Sequence, residues 1–134
     1  MLEFSDLNPW AVVVATVTGF LLGGVWYGPL FGNAWLAALG KTAEDLEPSA
    51  TPFIVSFFTS LVTALVLAVL IRSLGLVGWL DGAMLGLLAG VGFIAASMAS
   101  DSAFCRWSMN LFVILAGYRV VYSIVMGAIL GGWQ

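Results

Sequence analysis

The chain has 134 residues, 62% hydrophobic and only 8% charged, with mean hydropathy +1.10 and net charge −3; soluble domains carry about 25% charged residues, so an ordinary soluble enzyme is excluded, and so is disorder, which needs low hydrophobicity. Histidine is absent and Cys105 is the single cysteine, which removes His-ligated metals and haem, Ser-His and Cys-His nucleophile pairs and any intrachain disulfide. Lys and Arg form no cluster, so nucleic-acid binding and polybasic lipid capture have no support.

What remains is an all-α integral membrane protein: a single four-helix transmembrane domain over residues 1–134, with a short interfacial helix in the first loop. About 20 apolar residues cross the roughly 30 Å hydrocarbon core. Four runs fit: Pro9 to Tyr27, Pro52 to Ile71, Gly82 to Ala99 and Met109 to Leu130. The first follows an acidic Met-Leu-Glu-Phe-Ser-Asp start and ends in Trp26-Tyr27-Gly28-Pro29. It lacks the basic region and small-residue cleavage site of a signal peptide, so it reads as a retained span. Each run begins after a plausible cap, in order Asn8, Thr51, Asp81 and Ser108, whose side-chain oxygens can bind unpaired helix N–H groups. Trp10, Trp26, Trp79, Trp107 and Trp133 fall at span ends and Trp35 in the first loop, as expected of rings that prefer the headgroup level.

Between the first two spans, Leu30, Phe31, Ala34, Trp35, Ala38 and Leu39 suit a short helix in the membrane interface, ended by Gly40. Glu44, Asp45 and Glu47 follow. They read as a solvated loop face, with a cation site as the sharper alternative. Four spans put both termini on one side. Lys41 and Arg106 in loops one and three face Arg72 on the other side, a one-charge margin by which the positive-inside rule turns those loops to the cytoplasm.

Small residues recur at four-residue spacing in every span: Ala11, Ala15, Gly19 and Gly23; Ser56, Ser60, Ala64 and Ala68; Gly82, Gly86 and Gly90; Ser123, Gly127 and Gly131. Such stripes let helix backbones approach closely in lipid. A second stripe on the third span, Gly92, Ala96 and Ser100, fits either a central position or a homo-oligomer contact.

One residue is costly. Arg119 lies eleven residues after Ser108, about 16 Å deep at helical rise, where insertion scales charge about 2.5–3.5 kcal/mol. Tyr118 and Tyr122 flank it. Counting levels across the bundle sets it opposite about Gly90, near Thr63 and near Thr16 and Thr18, a candidate polar core. Asp81 and Asp101 fall roughly 13–16 Å off that level. Arg119 is read either as a structural residue snorkelling to one face or as a solute contact. Catalytic, cofactor and metal sites are not expected.

The block Gly23-Gly24-Val25-Trp26-Tyr27-Gly28-Pro29-Leu30-Phe31-Gly32-Asn33-Ala34-Trp35, with Asn8 before it and Leu39-Gly40-Lys41-Thr42-Ala43-Glu44-Asp45 after it, joins Ala116-Gly117-Tyr118-Arg119 and Val125-Met126-Gly127-Ala128-Ile129-Leu130-Gly131 near the C-terminus. Together these resemble the bacterial membrane family designated domain of unknown function 1761, over nearly the whole chain. The resemblance implies a four-helix inner-membrane protein without an established activity. Relatives usually carry His where Arg119 stands and often Asn where Asp101 stands; the paired departure makes Asp101 a possible partner of Arg119, against the level counting. Two functions follow as expectations. One is a small non-catalytic protein working as a homo-oligomer or an accessory subunit of a membrane complex. The other is a small oligomeric channel or transporter built around Arg119. A lipid-acting enzyme using Asp81, Asp101 or the Glu44–Glu47 cluster ranks last, since no paired base or nucleophile accompanies them.

Overall fold

A computed structural model of the chain describes residues 1–46 and 49–134, leaving Glu47 of the acidic loop outside the described residues. The elements in order are α1 (Pro9–Val25), a π turn (Trp26–Leu30), α2 (Gly32–Leu39), a 3₁₀ turn (Ala43–Asp45), α3 (Thr51–Ser73), α4 (Trp79–Ala89), a π segment (Gly90–Ala95), α5 (Ala96–Cys105) and α6 (Met109–Gly132). Joined end to end they make four helices long and apolar enough to cross a membrane: Pro9–Leu30, Thr51–Ser73, Trp79–Cys105 and Met109–Gly132. The expected four-helix bundle with a short helix in the first loop is the observed fold.

Several boundaries move for local reasons. Asn8 Oδ1 accepts from the N–H groups of Trp10 and Ala11, and Ser108 Oγ from that of Leu111, so these two caps stand as read. Thr51 is instead the first helical residue, and Ser49 Oγ accepts its N–H at 3.2 Å. Asp81 does not cap the third span either. The helix begins two residues earlier, after Gly78, whose φ of 102° turns the chain where a side chain would be strained. The first span runs on to Leu30 because Pro29 has no N–H to give an α-type bond. Phe31 N–H reaches back to Trp26 O at 2.8 Å, five residues away, which widens the turn around the proline. Gly40 closes α2 at φ 71°.

Helix α6 is the axis of the bundle. In its most apolar stretch 44% of residues are buried, against 22–28% in the other spans. Its two sides differ in kind. One side is small: Ser123, Gly127 and Gly131 face Gly82 and Gly86 of α4 at backbone contact. A Cβ on Gly82 would run into the carbonyl of Gly127, and one on Gly86 into that of Ser123. Gly78 N–H, at the end of the same seam, donates to Gly131 O at 3.0 Å. The other side is large. Tyr122 and Met126 sit in the notch left by Gly19, and Tyr118 in that left by Gly23, on α1. Helix α3 closes this side with Ser60, Ala64, Leu67, Ala68 and Ile71, all buried, and Phe20 meets Phe57 edge-on at 5.8 Å.

Both termini lie at one end of the bundle. Asn8 Nδ2 donates to Trp133 O at 3.3 Å, Gln134 Nε2 to Leu76 O at 2.6 Å, and Glu3 N–H to Ser73 Oγ at 2.7 Å. The Arg72–Asp6 pair there, at 3.7 Å, is exposed on both sides and adds little. At the other end the third span leaves the bundle. Beyond the π segment α5 buries no residue, and nothing lies within 4 Å of the position a Cβ would take on Gly92.

The two glycine environments on one helix predict opposite responses. Gly86→Ala should destabilise the protein by about 1–3 kcal/mol through overpacking. Gly92→Ala should be neutral or stabilising by up to about 1 kcal/mol through helix propensity. Thermal unfolding in one detergent compares them directly; equal losses for both would contradict the packing described.

Candidate functional site

The residues with most chemistry sit in the middle of α6. Tyr118 is 5% exposed, and its hydroxyl donates to Gly19 O at 2.8 Å. That bond needs the missing Cβ of Gly23, which would lie 2.9 Å from the Tyr118 oxygen. Tyr122, one turn on, has its ring 5.3 Å from that of Tyr118. Arg119, half-buried, carries its Cζ over both rings, 4.9 Å from the Tyr118 centroid and 5.2 Å from the Tyr122 centroid. Each such contact contributes about 0.5–2 kcal/mol depending on desolvation, which offsets part of the cost of a cation at this depth.

Tyr118 also connects to an aromatic group at the end of the first span. Its ring lies 5.4 Å from Tyr27, which meets Trp35 of α2 at 5.1 Å. Trp26 packs 6.3 Å from Tyr118 and 4.7 Å from Phe31, and its indole Nε1–H donates to Ile114 O at 3.0 Å. Trp26, read from sequence as a headgroup-level ring, thus fastens the first span to α6. The same wall holds α2 against the start of α6.

The other members of the expected polar core are placed differently. Thr16 is buried, but its hydroxyl returns to Val12 O at 2.7 Å. The Thr63 hydroxyl returns to Thr59 O at 2.9 Å, and Thr18 is half-buried on α1. The Thr16 and Thr63 hydroxyls each give their proton to their own helix. The structure brings Arg119 together with Tyr118 and Tyr122, and among the described residues no hydrogen bond joins it to Thr16, Thr18 or Thr63. Gly90, the expected opposite number, packs against Val120 and Ser123, next to Arg119. Asp101 lies on exposed α5. Among the described residues the only ion pair is Arg72–Asp6, so no carboxylate pairs with Arg119.

Ser60, in sequence one small residue of the α3 stripe, joins these residues only in the structure. Its hydroxyl and that of Tyr122 are buried, each residue 1% exposed, and neither oxygen has a hydrogen-bond partner. Such groups are rare in folded proteins. Most other span hydroxyls with a bond close onto their own helix, as Ser73 does on Val69 and Ser123 on Arg119. The missing closure is the signal at Ser60, and it is three-dimensional.

In the first loop, Asp45 serves the local turn. Its Oδ2 accepts from Thr42 N–H at 2.8 Å and Thr42 Oγ1 at 3.1 Å, and these bonds, the backbone one first, hold the carboxyl below its ordinary range. Among the described residues no three Asp, Glu or Cys side chains gather as metal ligands.

Two outcomes follow. Tyr118→Phe should cost about 1 kcal/mol, the worth of one hydrogen bond, in detergent unfolding. The turn bonds of Asp45 persist above the ordinary carboxylate pKa of about 3.9 and are lost only as pH falls through its lowered value. Thr42→Ala removes the hydroxyl bond and keeps the backbone one, so it should raise the Asp45 pKa part of the way toward that ordinary value, as read by NMR titration; an unmoved titration would show that the hydroxyl bond contributes nothing.

No curated protein and no solved structure matches the chain. The model of one family, described as Protein of unknown function (DUF1761), matches residues 10–131. That match takes in all four spans, the Trp26–Trp35 wall and the Tyr118–Arg119 pair, and the chain belongs to this family.

Proposed function

We propose that this chain is a small non-catalytic integral membrane protein of the bacterial cytoplasmic membrane that works as an assembly, either a homo-oligomer or an accessory subunit of a larger membrane complex. The observation that carries the reading is the bare α5. This helix continues a spanning segment, yet it buries none of its residues, and the stripe of Gly92 in the π segment with Ala96 and Ser100 of α5 is exposed. Lipid gives helices no hydrophobic reason to associate, so a smooth small-residue face is the kind a second helix packs on. The lack of histidine and the placement of the carboxylates at helix ends and loops support a non-catalytic role.

Disulfide trapping in native membranes tests the assembly. In a Cys105→Ser background, Ala96→Cys should give a crosslinked dimer, or a crosslink to a second chain, whereas Val66→Cys on the exposed side of α3 should give none. A protein that sizes as a clean monomer in mild detergent and forms no crosslink at position 96 would defeat the reading.

A second reading, a small oligomeric channel or transporter, draws on one observation: the cation of Arg119 in the middle of the bundle without a carboxylate. Four short helices make a poor pore alone, so this reading also needs assembly. Flux in reconstituted vesicles that survives Arg119→Ala unchanged would remove Arg119 from any such path.

A further inference from the structure

Three groups of hydrogen-bond donors fall at about one level of the bundle, and among the described residues no group accepts from them. Arg119 offers five N–H donors in a planar fork and no acceptor. Among the described residues it has two aromatic rings for contacts but neither a carboxylate nor a hydrogen-bond acceptor. The Tyr122 hydroxyl, on the ring beneath that cation, is buried and unpartnered. The Ser60 hydroxyl is the third.

The level of Ser60 follows from helix geometry. Helices α3 and α6 run in the same direction, since Ser73 and Trp133 both close onto the terminal end of the bundle. Leu130 of α6 lines one cleft with Ala68 and Ile71 of α3. Arg119 precedes Leu130 by eleven residues and Ser60 precedes Ile71 by eleven, about three turns in each case, which returns to nearly the same face. Ser60 is therefore placed at about the level of Arg119, on the face of α3 that carries Ile71. On the other flank the third span leaves α6 past Gly90, which still touches Val120 and Ser123. Beyond that point α5 no longer covers the bundle.

We propose that Arg119, Tyr122 and Ser60 form a binding site for an oxyanion, a phosphate or carboxylate group reached from within the membrane between α3 and α5. The chemistry is selective by sign. A cation is repelled by the Arg119 charge, and a neutral hydroxyl has one oxygen with two lone pairs for the whole set of donors. A phosphate or carboxylate supplies several lone pairs to a planar fork that binds it through two bonds, and to two hydroxyl donors besides. The tyrosine rings hold the guanidinium by its charge and use none of its N–H groups. This site is independent of whether the chain assembles.

The source of the oxyanion, lipid headgroup or small solute, is separated by two arms of one experiment. In the first, the purified protein in nanodiscs of phosphatidylglycerol mixed with a phosphate-free diglucosyldiacylglycerol is ejected for native mass spectrometry and retained lipid is counted. In the second, thermal unfolding in a neutral detergent is followed with added sodium phosphate or acetate, against chloride at equal ionic strength. Wild type should retain phosphatidylglycerol over the phosphate-free lipid, or gain thermal stability from phosphate or acetate. Arg119→Gln should weaken the effect roughly tenfold or more, as loss of a charged hydrogen-bond partner does. Should Arg119→Gln not fold, Ser60→Ala and Tyr122→Phe carry the test, since each only deletes an unpartnered hydroxyl. Both should raise stability without ligand and lower retention of the oxyanion, a pair of opposite signs that a purely structural role does not give. Equal binding by wild type and all three variants in both arms, or no preference for oxyanions by wild type, overturns the proposal.

Discussion

Everything in this bundle is referred to the backbone contact between α4 and α6. In lipid the hydrophobic effect cannot bring helices together, so attraction has to come from close packing and from polar groups. Gly82 and Gly86 against Ser123, Gly127 and Gly131 bring two backbones to a distance that no other residue pair allows. Dispersion forces fall steeply with separation, so this seam gains from many atoms at once. The bond from Gly78 to Gly131 fixes its register at the terminal end.

A helix that spends one side on glycines must do something else with the other. Tyr118, Tyr122 and Met126 fill that side of α6, and α1 receives them with Gly19 and Gly23. The pairing is reciprocal: α6 is small toward α4 and large toward α1, while α1 supplies the missing volume. Tyrosine brings a polar tip into this wall. The Tyr118 tip finds the carbonyl of Gly19, and the Tyr122 tip finds nothing. The difference lies one turn apart on one helix, between two side chains of the same type.

The fold was legible because membrane folding uses few signals. Apolar length set the spans, Asn8 and Ser108 set two of the starts, and Gly40 ended the loop helix, each through a single local bond or dihedral. Thr51 and Asp81 misled because other residues set those starts, Gly78 by its left-handed dihedral and Ser49 by its hydroxyl. The departure of α5 was not legible. It begins at a π segment, Gly90–Ala95, where the bonding shifts from i+4 to i+5 partners, and the apolar pattern of the span does not mark that shift. Part of the site was legible, namely the cation and its two tyrosines, since depth and i, i+4 spacing are one-dimensional facts. The threonines were placed by level alone, and level does not give direction: Thr16 and Thr63 turn their hydroxyl protons to their own helices, and no bond joins either to Arg119 among the described residues. Ser60 was missed for the mirror-image reason.

The choice of arginine at position 119 follows from the same geometry. A lysine ammonium is compact and strongly hydrated, so burying it beside two rings strips water that the rings cannot replace. A guanidinium is more weakly hydrated, and its charge is spread over a plane that aromatic rings stabilise. A carboxylate partner would neutralise the cation and occupy its fork together. The rings of Tyr118 and Tyr122 do neither: they stabilise the charge through their quadrupoles without cancelling it, and they leave the fork open. The cation is thereby held at mid-span against the ring whose own hydroxyl is unpartnered, and among the described residues its fork meets no acceptor.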